Sequence, residues 1–442
     1  MNVGRLASTI LAPLLAAWGP AVWAAPNALA GHWVGSLEQH GQKLAIAYDL
    51  QGDEAHASGR FSADTWRVMD YPLGKVAFNG DHVRFSMGGD ALEGERKGDE
   101  IQGKFKGDDG EGSFTLRRKL KPALPYREFP VTWRNGSVTL FGTLAMPTTP
   151  GRHPAVVLLQ GSGPESRWGT NRYIADRFAR AGIAALAYDK RGSGQSTGDW
   201  RDGGYETLAG DAMGAVELLA ARRDVDPRRI GLHGHSEGGM VAPLAATMAP
   251  ARVAFLVAED TYAGRVSEQD IYRTQNEVAG EDFSEADKVK ELAMYRLFIS
   301  VISGDRPYAD LETASAAVRN DAWFKDLNLP PRSDPAWTWY PRRSHFDTRT
   351  VWAKIRQPVL LIYGEHDQLI PVDESMRRIT DLLDASQTPY TALIAPRAEH
   401  NLTIKPQKAE AFFWWHKAPG VIETVVNWVK TCTGAGGPCR AS

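Results

Sequence analysis

From residue 154 onward the chain alternates short, mostly apolar runs with longer amphipathic ones, and that alternation restricts it to few architectures. The runs are PAVVLLQ (154–160), IAALAYD (183–189), RIGLHG (229–234), VAFLVAE (253–259), PVLLIYG (358–364) and YTALIA (390–395). A strand wetted on one side alternates apolar and polar residues. Unbroken apolar runs therefore predict strands covered on both faces, as in a parallel sheet. Between them, NRYIADRFARAG (171–182) and LAGDAMGAVELLAARR (208–223) place apolar residues at helical spacing. The expectation is an α/β fold: an open, doubly wound, mostly parallel sheet whose sites form beyond the carboxyl ends of its strands.

Residues 27–118 have another texture. KLAIAYDL, HVRFSM, IQGKFKG and GSFTLRR alternate with period two and are separated by NGD, KGDE and GDDG turns. This predicts a small antiparallel all-β domain, a barrel or a sandwich. Its GHW opening (31–33) is similar to the Gly-x-Trp start of lipocalin-like barrels. A ligand-holding barrel and an accessory domain packed on a larger partner are the two readings, and the accessory one is preferred. KLKPALPYREFP (119–130) is Pro-rich enough for a linker, after which the α/β domain is expected over 131–431. Within it, residues 262–350 break the alternation, first helical (SEADKVKELAMYRLFISVI), then irregular and aromatic (DPAWTWYPRR). So long an insertion between sheet strands is expected to be a lid; a structural elaboration is the alternative.

The 442 residues suit two compact units, and 43% hydrophobic with 24% charged residues is ordinary for a globular chain. A net charge of −2 without a long basic run gives no footprint for nucleic acid or an anionic membrane. The start, MNVGRLASTILAPLLAAWGPAVWAAP, has a short basic head, an apolar stretch and small residues at a cleavage point. It reads as a signal peptide over 1–25, giving a secreted or periplasmic product; an uncleaved anchor is the alternative. In an oxidising compartment Cys432 and Cys439, in CTGAGGPC, are expected to form a disulfide that ties down a tail at 432–442. No His stands beside them, so a zinc site is not expected there.

Two segments fit G-x-S-x-G: GQSTG (194–198) and GHSEG (234–238). Ser236 lies between an apolar strand and the helix candidate GGMVAPLAATMA, the strand–turn–helix context a nucleophile elbow requires. Ser196 is followed by loop. A serine hydroxyl is a poor nucleophile at neutral pH, so it needs a base and the base needs an orienting partner. Asp367, in YGEHDQLIPV, and His400, in PRAEHNL, each follow a strand and would stand at the same sheet rim. Asp260, after VAFLVAE, is the alternative acid, and His233 with His235 could hold a metal if a third ligand joined them. Glu365 and Glu399 read as neighbours of the acid and base. The oxyanion donors are expected to be the backbone N–H of Glu237 and one from Ser162 or Gly161, in LLQGSGPESR. Trp337, Trp339, Trp414 and Trp415 could line a pocket or belong to core and interface.

Together QGSGP, YDKRGSGQS, GHSEGG, YGEHDQLIP and EHNL resemble the α/β-hydrolase superfamily, in its exported esterase, serine aminopeptidase-like and dienelactone hydrolase-like branches. The likeness spans about residues 125–430 and leaves the β-domain outside it. Gln160 departs from relatives that carry His there. The resemblance implies a Ser–His–Asp mechanism through an acyl-enzyme on Ser236, His400 and Asp367, with no metal or organic cofactor. The expected substrate is a small ester. A peptide substrate is the second reading, with Glu259, Asp260 or a lid acid binding its amine, and a non-catalytic envelope ligand-binding protein the third.

Overall fold

The computed structural model describes residues 29–108 and 110–434. The leader at 1–25 and Cys439 lie outside the described residues, and with Cys439 the expected disulfide. No helix among those described is long and apolar enough to cross a membrane.

Nine strands make up the amino-terminal unit: β1 (Gly31–Gln39), β2 (Gln42–Gln51), β3 (Ser58–Ala63), β4 (Val68–Pro72), β5 (Lys75–Asn79), β6 (His82–Met87), β7 (Asp90–Lys97), β8 (Glu100–Gly107) and β9 (Gly110–Lys119). They form one antiparallel sheet in the order β4-β3-β2-β1-β9-β8-β7-β6-β5. Its outer strands are consecutive in sequence, so residues 73–74 bring the sheet's two edges together. There the Leu73 N–H donates to the Gly59 carbonyl and the Gly74 N–H to the Ser86 carbonyl. Period-two alternation supplies the interior: Leu44, Ile46, Tyr48 and Leu50 of β2 all turn inward. Trp33, Phe61, Phe85 and Phe114 fill the rest of it, and Trp414 enters from the far end of the chain.

The linker expected at 119–130 is shorter than composition suggests. By Tyr126 the chain is already in β10 (Tyr126–Asn135), which pairs with β11 (Val138–Pro147). Pro130 is tolerated because β10 is the edge strand of its sheet. Phe129, Val131 and Trp133 alternate onto the core, holding the segment as strand.

Then follow β12 (His153–Leu159), α1 (Thr170–Arg180), β13 (Ala184–Tyr188), α2 (Tyr205–Ala220), β14 (Val225–His235), α3 (Glu237–Met248) and β15 (Leu256–Glu259). After the insertion come β16 (Val359–Gly364), α11 (Val372–Ala385), β17 (Tyr390–Ala395), the short pair β18 (Thr403–Ile404) and β19 (His416–Lys417), and α12 (Val421–Thr433). The sheet order is β10-β11-β13-β12-β14-β15-β16-β17, parallel from β13 onward. Ala155, Val157 and Leu159 of β12 face α2 and α3, while Val156 and Leu158 face α1 and α12. Burial on both faces is the physical reason for the unbroken apolar runs.

The insertion is more regular than expected. It comprises α4 (Val266–Ala279), α5 (Glu285–Ile302), α6 (Tyr308–Val318), α7 (Ala322–Asp326), α8 (Ala336–Trp339), α9 (Pro341–Ser344) and α10 (Arg349–Trp352). Its own small core gathers Met294, Phe298, Ile302, Leu311, Trp323 and Tyr340, with Trp337 and Trp339 packed against it.

Candidate active site

The site is built at the carboxyl rim of the parallel strands. β14 ends at His235 and α3 starts at Glu237, so Ser236 alone makes the turn, at φ 52°. The flanking glycines are steric requirements here. A Cβ on Gly234 would lie 2.1 Å from the Gly238 carbonyl oxygen, and one on Gly238 would lie 2.4 Å from that of Leu159. The turn is pinned by the Ser236 N–H donating to the Glu259 carbonyl at 2.9 Å.

Loops after β16 and β17 bring the partners. The imidazole of His400 stands with Nε2 3.0 Å from Ser236 Oγ and Nδ1 2.7 Å from Asp367 Oδ2. The other carboxylate oxygen of Asp367 accepts the N–H groups of Leu369 at 2.7 Å and Ile370 at 3.2 Å, which fixes its plane. Burial disfavours protonation of His400, but the hydrogen bond and charge of Asp367 outweigh it and hold its pKa above the ordinary histidine value. Three side chains far apart in sequence are thus joined in one hydrogen-bonded relay.

The alternatives are placed as well. Ser196 is buried, its Oγ donating to the Asp189 carbonyl at 2.6 Å and accepting the Phe141 N–H at 2.9 Å, so that hydroxyl is committed to structure. Asp260 stands behind the relay without a hydrogen bond to His400. One of its oxygens accepts the Gly364 N–H at 2.9 Å, and burial raises its pKa to about 7, with the charge of Asp367 adding to the rise. Asp260, Asp367 and His400 lie close enough to share an ion, yet both imidazole nitrogens already face Asp367 and Ser236. His233 sits 3.1 Å from Glu259, and His235 3.8 Å from Asp260. Among the described residues no metal-sized cluster includes that histidine pair. Glu365 accepts the Arg397 N–H at 2.7 Å, and Glu399 pairs with Lys405 at 2.8 Å.

Opposite the base, the loop after β12 runs over Ser236: a Cβ on Gly161 would lie 3.6 Å from that of Ser236. The Gly161 N–H is turned to the carboxylate of Glu165. Gly161 and Ser162, the two residues whose amides are expected at the oxyanion position, both lie in this loop. The Gly161 carbonyl accepts Lys190 Nζ at 2.7 Å. In a trans peptide C=O and N–H point oppositely, so this bond also sets the direction of the Ser162 N–H. The same ammonium pairs with the carboxylate of Glu237, whose second oxygen meets Arg343 Nη1 of α9 at 3.2 Å. Glu237 opens α3, where a backbone N–H has no intrahelical acceptor. Lys190 and Arg343 escaped the sequence reading. Lys190 follows the strand now seen as β13, which was a usable signal, whereas only folding of the insertion brings Arg343 near.

A cavity of about 720 Å³ opens beside His400, lined in part by Gln368, Leu369, Phe412, Phe413 and Trp415. Trp415 therefore belongs both to the cavity wall and to the contact between units, whereas Trp337 stays with the insertion and Trp339 reaches from it to the ring of Trp200 at 5.3 Å.

A sequence model of the alpha/beta hydrolase family matches residues 156–411, more than half of the chain. The chain belongs to the alpha/beta hydrolase family. Esterase EstD of Thermotoga maritima is 31% identical over 139 residues, which cover 29% of this chain and 33% of that enzyme. An uncharacterized protein of Mycobacterium tuberculosis is 35% identical over 95 residues, 22% of this chain and 32% of its own. The chain thus spans about a third of the length of the curated relatives it matches. Among solved structures, Est1E from Butyrivibrio proteoclasticus is similar at 16% identity and a TM-score of 0.42, covering 68% of this chain and 96% of that one.

Proposed function

We propose that this hydrolase-family chain is a serine esterase that cleaves small carboxylic esters through an acyl-enzyme. The observation carrying the reading is the unbroken relay from Ser236 Oγ to His400 to Asp367, mounted on a strand–turn–helix elbow. His400 Nε2 takes the hydroxyl proton as Ser236 Oγ bonds to the acyl carbon. The carbonyl oxygen, now negative, is received by the Glu237 and Ser162 N–H groups. His400 then returns the proton to the departing alkoxide, which leaves as the alcohol. Water repeats the sequence on the acyl-serine and releases the acid. Asp367 holds the imidazole in the tautomer that points its free nitrogen at the serine. The cavity beside His400 is the natural seat for the alcohol portion, because that oxygen must come within hydrogen-bonding reach of Nε2.

Of the carboxylates that could anchor a free amine, as an aminopeptidase would need, two already face partners within the protein. Glu259 is spent on His233, and Asp260 is turned to the Gly364 N–H. A fluorophosphonate probe is expected to label the chain, and Ser236→Ala to abolish both labelling and hydrolysis of a p-nitrophenyl acyl ester. Labelling that survives Ser236→Ala, or an aminoacyl anilide turned over much faster than the ester, would displace the reading.

A further inference from the structure

One hairpin of the amino-terminal sheet touches both loops that carry the active-site groups. β3, β4 and their turn, residues 58–72, lie against the two at once. On one side the Met69 N–H donates to the Gly169 carbonyl at 3.2 Å, and the Gly169 N–H returns a bond to Met69 at 2.9 Å. The Arg60 guanidinium lies 3.8 Å from the ring centre of Trp168. Trp168 and Gly169 end the loop that begins with Gly161 and Ser162.

On the other side the hairpin turn grips the segment leading from the base back to the protein. The Thr65 carbonyl accepts the Lys417 N–H at 3.1 Å, the Trp66 indole donates to the Trp415 carbonyl at 2.9 Å, and Arg67 donates to the Ala418 carbonyl. The rings of Trp66 and Trp415 stack at 4.7 Å with 5° between their planes. Lys417 carries the grip onward. Its Nζ donates to the Asn401 carbonyl at 2.7 Å, one residue past His400, and to Thr403 Oγ1 at 3.1 Å.

The backbone shows why a grip is needed. Asn401 and Leu402, directly after His400, have φ of 64° and 54°. Left-handed geometry costs an L-residue roughly 1–2 kcal/mol. Two such residues in succession persist only where their surroundings over-determine them. The Leu402 carbonyl is held by the Ala418 N–H at 2.8 Å, as that of Asn401 is by Lys417. The strained turn is therefore fastened to the 416–418 segment, and that segment to the hairpin.

We propose that the β3–β4 hairpin is a positioning element of the active site, holding the base loop and the oxyanion loop at their working separation. The amino-terminal sheet then serves turnover itself, beyond any contribution to stability. The inference rests on the triad reading above.

The test measures the rate constant for fluorophosphonate labelling of Ser236 in the full chain, below the melting temperature of every variant. Trp66→Ala and Lys417→Met are expected to slow labelling roughly 10- to 100-fold, the scale of a misplaced reacting group. Lys417→Arg should recover most of the loss, since it keeps a donor at that position. Val83→Ala, which opens a gap in β6 of the same sheet, lowers the melting temperature and should leave the labelling rate at the wild-type value. Hairpin variants that label at the wild-type rate, or a Val83→Ala chain slowed as much as they are, overturn the inference and leave the triad reading standing. A wild-type chain that the probe does not label overturns both.

Discussion

At the scale of single residues, the charges around His400 decide how the site responds to pH. A general base works only when neutral, so activity rises as pH passes upward through its pKa. Asp367 stabilises the imidazolium and moves that pKa above the ordinary value of 6.5. For a non-ionising ester, kcat/KM is thus expected to break at a pH above that of an unperturbed histidine. Asp367→Asn removes the stabilising charge and the tautomer control together. The break should then shift toward acid and kcat fall about 10⁴-fold. Rate profiles of the two proteins from pH 5 to 9 check both; an unshifted break would mean that another group supplies the base. Ser236, Asp367 and His400 were legible because each follows an apolar run, and a residue directly after a buried parallel strand has one place to go. Ser196 met the same five-letter pattern, and what distinguished it was the loop behind it. The turn of Gly161 toward Glu165 was not legible, since a peptide plane's direction depends on groups distant in sequence.

At the scale of elements, the start of α3 draws its order from two others. The Glu237 carboxylate lies between Lys190, just past β13, and Arg343, on α9 of the insertion. All three side chains are nearly inaccessible to solvent. A buried ion cluster adds little net stability, but removing either cation leaves one Glu237 oxygen short of its buried donor while the other cation still pairs with the carboxylate, at about 1–3 kcal/mol. Lys190 is also bonded to the Gly161 carbonyl, so its loss touches both proposed oxyanion amides, while Arg343, which otherwise holds the carbonyls of Trp200 and Gly203, reaches only the Glu237 one. Lys190→Met is therefore expected to lower kcat by about 10²-fold, on the scale of losing an oxyanion donor, with KM little changed. Arg343→Met should lower the melting temperature comparably and reduce kcat less. Steady-state kinetics beside calorimetry of both variants tests this; equal kcat losses would show that Lys190 acts only through the cluster. Period alone had marked the six parallel strands and helices α1, α2 and α5. It could not show that α9 returns from the insertion to the elbow, because that contact joins residues over a hundred positions apart. The linker was drawn too long for a related reason. Pro130 suits a loop by composition, and only the sheet order shows it on an edge.

Taken whole, the described residues form two large sheets and one two-stranded pair, and the large sheets are fastened by pairs that sequence patterns do not reveal. Arg177 meets Asp64 at 2.9 Å, Arg172 lies 3.4 Å from Asp70, and the Met69–Gly169 bridge joins the backbones. The Arg177–Asp64 pair is accessible and so individually weak, and the buried Arg172–Asp70 pair carries a desolvation cost, so the apolar contact matters more. Trp414, 7% exposed, packs among Trp66 and Phe105 of the amino-terminal sheet. The amino-terminal core is thus incomplete without a side chain from near the carboxyl end. Neither unit is expected to melt alone: the intact chain should show one cooperative calorimetric transition. Trp414→Ala would leave a large void at the junction, costing about 3–5 kcal/mol by analogy with other buried aromatic truncations. If the units share one core, the variant's whole transition moves to lower temperature and stays single. If they are merely adjacent, a small early transition for the nine-stranded sheet separates from an unchanged main one, and the amino-terminal unit would then be an independent domain joined by a tether.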